Sequence, residues 1–171
     1  MKSLIVVDIQ PVYDDVCGHL LFILNELFND YDRIFIFYND EEICCDSLFN
    51  IIEYYSKFIN DDNLAKFTYI PKQYAFFRDF MDHGIDREEI IKIIQHMINN
   101  NIIDSRDIIS IDMTEYNNIG NIYIPDIDMN IFSSNIQYDL IGGSYYECLD
   151  EIAILLESYN ISYDILQPYV Y

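Results

Sequence analysis

Two polar side chains that could take part in chemistry follow the first apolar run of the chain. Residues 4–7 are all leucine, isoleucine or valine, and Asp8, Gln10, Pro11 and Tyr13 come next. Pro11 cannot continue a central strand, so a buried parallel strand is predicted to end here. Ligands of open α/β sheets bind at this end of the strands. Asp8 could therefore be a general base or orient a nucleophile, or it could simply cap the next helix or pair with an arginine.

A cysteine late in the chain is the second candidate. Gly142 and Gly143 end a predicted strand, and Cys148 falls near the first turn of the helix that follows. Backbone dipoles at a helix start lower the pKa of a thiol, which suits a nucleophile. Alternatively, Cys148 is a small apolar side chain that packs the helix on the sheet, and the neighbouring Glu147 opposes a thiolate. The residues by themselves favour neither interpretation.

Basic residues are scarce, and two arginines could bind an anionic ligand. Arg78 follows Phe76-Phe77, and Arg106 stands among aspartates, whose neutralisation is the simpler role for both. The four cysteines and three histidines lack metal-ligand spacing, so no metal and no cofactor is predicted and the thiols are expected to be reduced.

The elements that position these residues alternate between strands and helices. Strands are predicted over 3–10, 33–38, 66–70, 108–113, 121–124, 137–141 and 161–166. Helices are predicted over 13–29, 46–59 with Asp46 as its cap, 86–98 and 145–159, with a helical turn within 126–133. This order predicts a three-layer α/β domain with a mostly parallel central sheet. A length of 171 residues suits a single domain, 1–171.

The charge of the chain restricts its partners. Thirty acids against nine Lys and Arg give a net charge of −21, which repels nucleic acids and anionic membranes. A basic partner protein would be attracted, although solubility alone explains such a surface. No membrane span or signal peptide is expected, which predicts the cytoplasm. Abundant Ile, Asn, Asp and Tyr without Trp is the bias of AT-rich coding sequences, as in many viruses, and a viral chain would act in the host cytoplasm.

The two ends of the chain resemble the isochorismatase-like (cysteine hydrolase) family. Its first strand ends in an aspartate within the pattern D-[MIV]-Q-x-x-[FY], and residues 8–13 read DIQPVY. Its nucleophilic cysteine comes six residues after a glycine that ends a late strand, and Gly142 and Cys148 keep that spacing. The resemblance covers about the first fifteen and the last fifty residues, and in the middle only the order of strands and helices agrees.

The resemblance implies an isochorismatase-like fold and a pocket with Asp8 and Cys148 as catalytic residues. The implied reaction is hydrolysis of an amide, or of a vinyl ether as in isochorismate. The candidate substrate-binding residues are the two arginines, Arg78 and Arg106, and Gln10, Tyr13, Gly142 and Gly143. Asp8 and Cys148 should then lie at the same edge of the sheet, with strands 3–10 and 137–141 as near neighbours.

One departure from the family pattern concerns a lysine. The family uses a lysine at the end of a central strand to lower the cysteine pKa. The corresponding strand here is predicted to be 108–113, which has none, while Lys66 or Lys72 would serve only if that strand assignment is wrong. No lysine is therefore expected within hydrogen-bond reach of both Asp8 and Cys148, which predicts weakened or lost hydrolase chemistry.

Three functions remain open from the sequence. The first is a divergent isochorismatase-like domain that binds a small molecule in the Asp8/Cys148 pocket, with or without cysteine hydrolase activity. The second is a non-enzymatic acidic protein, viral in origin on the compositional argument, that binds a basic partner. The third is a metal-dependent phosphoesterase or nuclease that uses Asp8 and other acids, which the net charge disfavours. A homo-oligomer is compatible with each of the three.

Overall fold

The sheet at the centre of the molecule is entirely parallel. The structure is a computed structural model that describes residues 2–40, 46–72, 76–108, 119–120 and 122–171. Its strands are β1 (Ser3–Val7), β2 (Arg33–Asn39), β3 (Phe67–Lys72), β4 (Tyr138–Gly142) and β5 (Tyr163–Ile165), in the order β3-β2-β1-β4-β5. The expected neighbourhood of the first strand and the 137–141 strand is confirmed, because β1 lies between β2 and β4.

Helices connect these strands and cover both faces of the sheet. They are α1 (Asp14–Phe28), α2 (Leu48–Ser56), α3 (Asp61–Leu64), α4 (Arg78–Asp82), α5 (Arg87–Asn99) and α6 (Cys148–Ser158). Short 3₁₀ turns occupy Pro11–Tyr13, Ser105–Asp107, Met129–Ile131 and Gln167–Tyr169. Among the described residues, no helix combines the length and apolar character needed to cross a membrane.

Alternating side chains of the strands build two separate cores. Ile5 and Val7 of β1 belong to a cluster that contains the buried faces of α5 and α6. Leu4 and Val6 point the other way, into a cluster with α1 and α2. Since successive residues of a strand face opposite sides, both faces of β1 need apolar cover. The predicted three-layer α/β architecture is confirmed.

The third strand continues further than its sequence predicts. The prediction ended at Ile70 because Pro71 follows, yet β3 runs through Pro71 to Lys72. Pro71 pairs with Tyr38, and Lys72 pairs with Asn39 at the end of β2. β3 is the outermost strand of the described sheet, and such a position tolerates a residue without an N–H. The extension carries a lysine to the carboxyl edge of the sheet.

Two helix starts differ from their predictions, and one agrees. Asp86 caps α5 as predicted, with its side chain accepting from the amide of Glu88. The cap of α2 is Ser47 and not Asp46, whose carboxylate accepts instead from the amide of Val12. α6 begins at Cys148, three residues later than predicted, because the preceding residues form a turn in which Tyr146 has a φ of +61°.

The two remaining strand predictions fall in the middle of the chain. Of the 108–113 strand, residues 109–113 lie outside the described residues. Of the 121–124 strand, residue 121 also lies outside them, and the rest shows only an isolated antiparallel bridge between Tyr123 and Asp104. The described part of this second segment is therefore an irregular connection and not a strand of the sheet.

Candidate functional site

Asp8 stands where the chain leaves the central strand. Its φ of +52° lies in the left-handed region, which is uncommon for a residue with a side chain. Two hydrogen bonds hold it there: its amide donates to the carbonyl of Phe37 at 3.0 Å, and the Tyr171 hydroxyl donates to its own carbonyl at 2.7 Å. Such backbone strain persists only where the surroundings impose it, and it collects at functional sites.

Lys72 lies beside this aspartate, although the sequence predicted that no lysine would reach both Asp8 and Cys148. Lys72 Nζ is 2.9 Å from Asp8 Oδ2, and the two side chains are 1% and 2% exposed. The strand that supplies the lysine is β3, two strands away from β1, and not the predicted strand over 108–113. Asp8 Oδ1 is buried and has no hydrogen-bond partner among the described residues. One carboxylate oxygen is thus held by the lysine while the other is open to a proton.

Cys148 reaches the same place from the glycine turn after β4. A side chain on Gly142 would come within 2.3 Å of the Val7 carbonyl, and one on Gly143 within 3.2 Å of the Cys148 sulfur. Both glycines have positive φ, so the turn needs their freedom as well as their small size. The amide of Ser144 donates to Cys148 Sγ at 3.4 Å. The close approach of these backbones sets the sulfur near Asp8.

The charges around the sulfur act in opposite directions. Burial raises the pKa of the Cys148 thiol to about 12 and the charge of Asp8 adds to the rise, while Lys72 and the Ser144 amide oppose it. Burial also disfavours a charged Lys72, but Asp8, with help from Cys148 and Glu151, leaves the pKa of the ammonium above its usual value. The resting site therefore holds a neutral thiol next to a buried ion pair.

A pocket of about 270 Å³ opens over this group. It is lined by Asp8, Tyr13, Val16, Arg78, Ser144, Glu147, Cys148 and Tyr171. The expectation that Asp8 and Cys148 share one pocket is therefore confirmed. Tyr13 and Arg78, two of the proposed substrate contacts, lie on its wall, and Gly142 and Gly143 form the turn that carries Cys148.

Four of the six predicted substrate contacts do not line this pocket: the two turn glycines, Gln10 and Arg106. Gln10 is fully buried, and its side chain joins the ends of two strands by accepting from the Asn39 amide and donating to Asn39 O and Asp46. Arg106 lies in a 3₁₀ turn and pairs with Asp104, two residues before it. Gln10 thus holds the backbone next to the site in place, whereas Arg106 neutralises an aspartate, the simpler of its two predicted roles.

Glu151 is a buried residue of the site that the sequence did not single out. Its Oε1 accepts from the amides of Phe76 and Phe77 at 2.9 and 2.8 Å, and its Oε2 has no partner among the described residues. Burial raises the pKa of this carboxyl, against the amides and the charges of Lys72 and Arg78. The sequence did contain a signal for Glu151. It is an acid within a strongly apolar helix, about one turn beyond Cys148, where a solvent-exposed position is not expected.

The described part of the chain contains no cluster of side chains suited to bind a metal ion. No group of three or more His, Cys, Asp or Glu side chains there is placed to hold a metal ion. The adjacent Cys44 and Cys45 lie outside the described residues. The chemistry that the pocket offers through its own side chains is that of a thiol, a carboxylate and an ammonium.

Comparison with known proteins adds no information about this site. Neither the models of known protein families nor the curated protein sequences contain a match to the chain.

Proposed function

We propose that the chain is a cysteine hydrolase of the isochorismatase-like kind, acting on the C–N bond of a small amide. The observation that carries the proposal is the buried ion pair of Asp8 and Lys72 next to Cys148 in one pocket. The residues at the two ends of the chain that resemble the family supply Asp8 and Cys148. Lys72 supplies the cation whose predicted absence was the main argument for lost activity.

In the proposed first step, Asp8 acts as a general base. Oδ1 accepts the thiol proton of Cys148, and the sulfur attacks the carbonyl carbon of the amide, so a C–S bond forms as the C=O electron pair moves to oxygen. The tetrahedral intermediate then collapses with cleavage of the C–N bond. The proton held by Asp8 passes to the departing nitrogen, which leaves as ammonia or an amine, and the acyl group remains on sulfur as a thioester.

Water completes the cycle by the same route. Asp8 takes a proton from water, the oxygen attacks the thioester carbon, and the carboxylic acid leaves as the sulfur recovers its proton. A raised resting thiol pKa is compatible with this sequence, because the proton moves to Asp8 only as the sulfur attacks. A thiolate is never required to persist in the acidic surroundings.

Lys72 has two roles in this proposal. It fixes the Asp8 carboxylate by binding Oδ2, and its charge lowers the free energy of the developing thiolate, the direction in which it shifts the Cys148 pKa. The proposed substrate is a free small molecule, since a net charge of −21 opposes nucleic acid.

An activated ester tests the proposal without knowledge of the natural substrate. With p-nitrophenyl acetate, the wild-type protein should show a burst of p-nitrophenol and carry one acetyl group on Cys148, seen by peptide mass spectrometry. Cys148→Ala should abolish the burst, and Asp8→Asn should slow it by a factor of about 10²–10⁴. The matched control is Cys17→Ala, which removes a thiol buried in the other core. A folded wild-type protein that shows no burst and no acetylated Cys148 would overturn the proposal.

A further inference from the structure

The pocket has an uneven distribution of charge on its wall. Of the described residues that line it, Asp8 and Glu147 are acids and Arg78 is the only cation. Lys72 neutralises Asp8 from beneath. Within the described part of the chain, the guanidinium of Arg78 is therefore the one positive group that faces the pocket of a strongly acidic protein.

The hydrogen-bonding capacity of Arg78 is poorly used. Its side chain is only 19% exposed, yet Nε is buried and has no partner among the described residues. Nη1 lies 3.6 Å from Oε1 of Glu147, which is longer than a hydrogen bond. By contrast, Arg87 donates to both carboxylate oxygens of Glu157 and to Tyr163. With no short hydrogen bond to the described residues, the terminal nitrogens of Arg78 have donors to offer a ligand in the pocket.

The position of Arg78 relative to Cys148 is set by one helix. α6 begins with Cys148, and its buried Glu151 accepts from the amides of Phe76 and Phe77, directly before Arg78. The backbone directly before Arg78 is thereby tied to the helix that carries the sulfur. Such preorganisation is what a substrate-orienting arginine requires.

We infer that Arg78 selects an anionic substrate, one that carries a carboxylate besides the bond to be cleaved, and that Glu147 is an internal competitor for the same guanidinium. This inference rests on the proposed function for the identity of the reacting atom. A planar guanidinium binds a carboxylate through two parallel hydrogen bonds, which the terminal nitrogens Nη1 and Nη2 can supply. Glu147 is 53% exposed and can swing into solvent when a ligand arrives.

Two alkylating reagents of nearly equal shape test the inference directly. Iodoacetate and iodoacetamide attack the same sulfur with formation of a C–S bond and loss of iodide, but only iodoacetate carries a carboxylate. Both consume the same thiolate, so the ratio of their rates at Cys148 cancels any change in its pKa. The ratio, measured by peptide mass spectrometry at about pH 9, thus reports how the pocket treats a carboxylate.

The variants are expected to move the ratio in opposite directions. Arg78→Gln should lower the iodoacetate/iodoacetamide ratio about tenfold, and Arg78→Lys should lower it less, because a point charge replaces the planar fork. Glu147→Gln should raise the ratio, since it removes the competing carboxylate. Arg33→Gln and Glu26→Gln, exposed residues outside the pocket lining with the same charge changes, are the matched controls and should leave it unchanged.

The outcomes separate this inference from the proposed function. If Cys148 reacts but Arg78→Gln leaves the ratio at the wild-type value, the inference is wrong while the nucleophile stands. If Cys148 reacts with neither reagent, the proposed function fails, and titration of Cys148→Ser with benzoate and with benzamide decides the role of Arg78. The role of Arg78 is supported if Cys148→Ser binds benzoate and the double variant Cys148→Ser/Arg78→Gln does not. It is overturned if Cys148→Ser binds benzoate and benzamide equally, or if both variants bind benzoate equally.

Discussion

The Asp8–Lys72 ion pair is buried so deeply that each partner depends on the other. Both side chains have almost no exposed surface, so either charge left alone would lie in a medium that solvates it poorly. Breaking a buried pair by removing one partner is more destabilising than replacing both with uncharged residues. This asymmetry gives the pair a measurable thermodynamic signature.

Lys72→Met should lower the free energy of unfolding by about 3–5 kcal/mol, because it strands the Asp8 carboxylate. The double variant Asp8→Asn/Lys72→Met should be destabilised by less than the sum of the two single variants. Urea unfolding of all four proteins closes the thermodynamic cycle. Additive effects would show that the two side chains do not interact.

Asp8→Asn should lower the pKa of the Cys148 thiol below its wild-type value of about 12, because the charge of Asp8 is among the causes that raise it. The pH profile of iodoacetamide alkylation measures this pKa, so the variant should alkylate faster than wild type at moderately alkaline pH. Acyl transfer should be slower in the same variant, because Asp8 is the proposed base. A thiol that becomes both more alkylatable and less active is the expected combination. A rise of the alkylation midpoint would contradict the assignment.

Glu151 should oppose folding when it is ionised. Its pKa is raised by burial, so the native state binds this proton more tightly than the unfolded state, and stability falls as pH rises through the interval between the two pKa values. Glu151→Gln keeps an acceptor for the Phe76 and Phe77 amides and removes the charge. It should therefore stabilise the protein near neutral pH, relative to wild type, and lose that advantage in acid below the unfolded pKa.

Glu151→Ala is the control for the acceptor role of Glu151. It leaves the two buried amides without their acceptor, which should lower stability by about 1–3 kcal/mol per amide at either pH. Urea unfolding at about pH 4 and about pH 7 distinguishes the two variants. If Glu151→Gln is as destabilising as Glu151→Ala near neutral pH, the ionised carboxylate is itself stabilising, and the direction of the shift is wrong.

Among the elements, the turn between β4 and α6 is the one that positions Cys148, the proposed nucleophile. The strand brings Gly142 beside Val7, and the helix begins only at Cys148. The Val7 carbonyl and the Ile9 side chain lie so close to Gly142 that no side chain fits there. Gly84, in the turn after α4, has a similar φ of +71°, but no atom of the described residues lies within 4 Å of the place that a Cβ would occupy there.

Gly142→Ala should be more destabilising than Gly84→Ala, by roughly 1–3 kcal/mol. Both substitutions force alanine into left-handed backbone, which costs about 1–2 kcal/mol by itself. Only Gly142→Ala adds a contact of 2.3 Å with the Val7 carbonyl. Thermal or urea unfolding of the two variants separates strain from steric overlap, and equal losses would show that the turn has room to move.

At the scale of the whole molecule, the dominant feature is net negative charge. Thirty acids in a chain of 171 residues repel one another, and the repulsion is stronger in the compact folded state than in the unfolded chain. Apart from the buried Asp8–Lys72 pair, the described ion pairs, such as Arg87 with Glu157, are few and partly exposed, so they offset little of it.

The melting temperature should therefore rise when NaCl is added, because salt at 0.1 M screens exposed charges beyond about 10 Å. Mild acidification toward about pH 6 should raise it further, before paired carboxylates begin to protonate. Scanning calorimetry across a salt series makes the measurement. A melting temperature that falls between low and moderate salt would mean that specific ion pairs outweigh the general repulsion.

The sequence by itself determined the fold class and two of the three central site residues. Strand and helix periodicities are local, so the alternation of elements can be inferred without knowing which strands pair. The same holds for the position of Asp8 directly after one strand and of Cys148 at the start of the helix that follows another. The parallel sheet then brings those ends together, as β1 and β4 do. A composition of many acids and few bases likewise needs no structure to be recognised.

Tertiary structure alone decided which cation accompanies them. Pro71 marks a strand end by local rules, but an outer strand accommodates it, so β3 continues and delivers Lys72 to Asp8. Tertiary contacts also decided the fate of two predicted substrate contacts. The side-chain amide of Gln10 bonds to Asn39 and Asp46, while Arg78 lies on the wall of the pocket. Strand order and the direction in which a side chain turns depend on contacts between residues far apart in the chain, and local sequence patterns do not encode them.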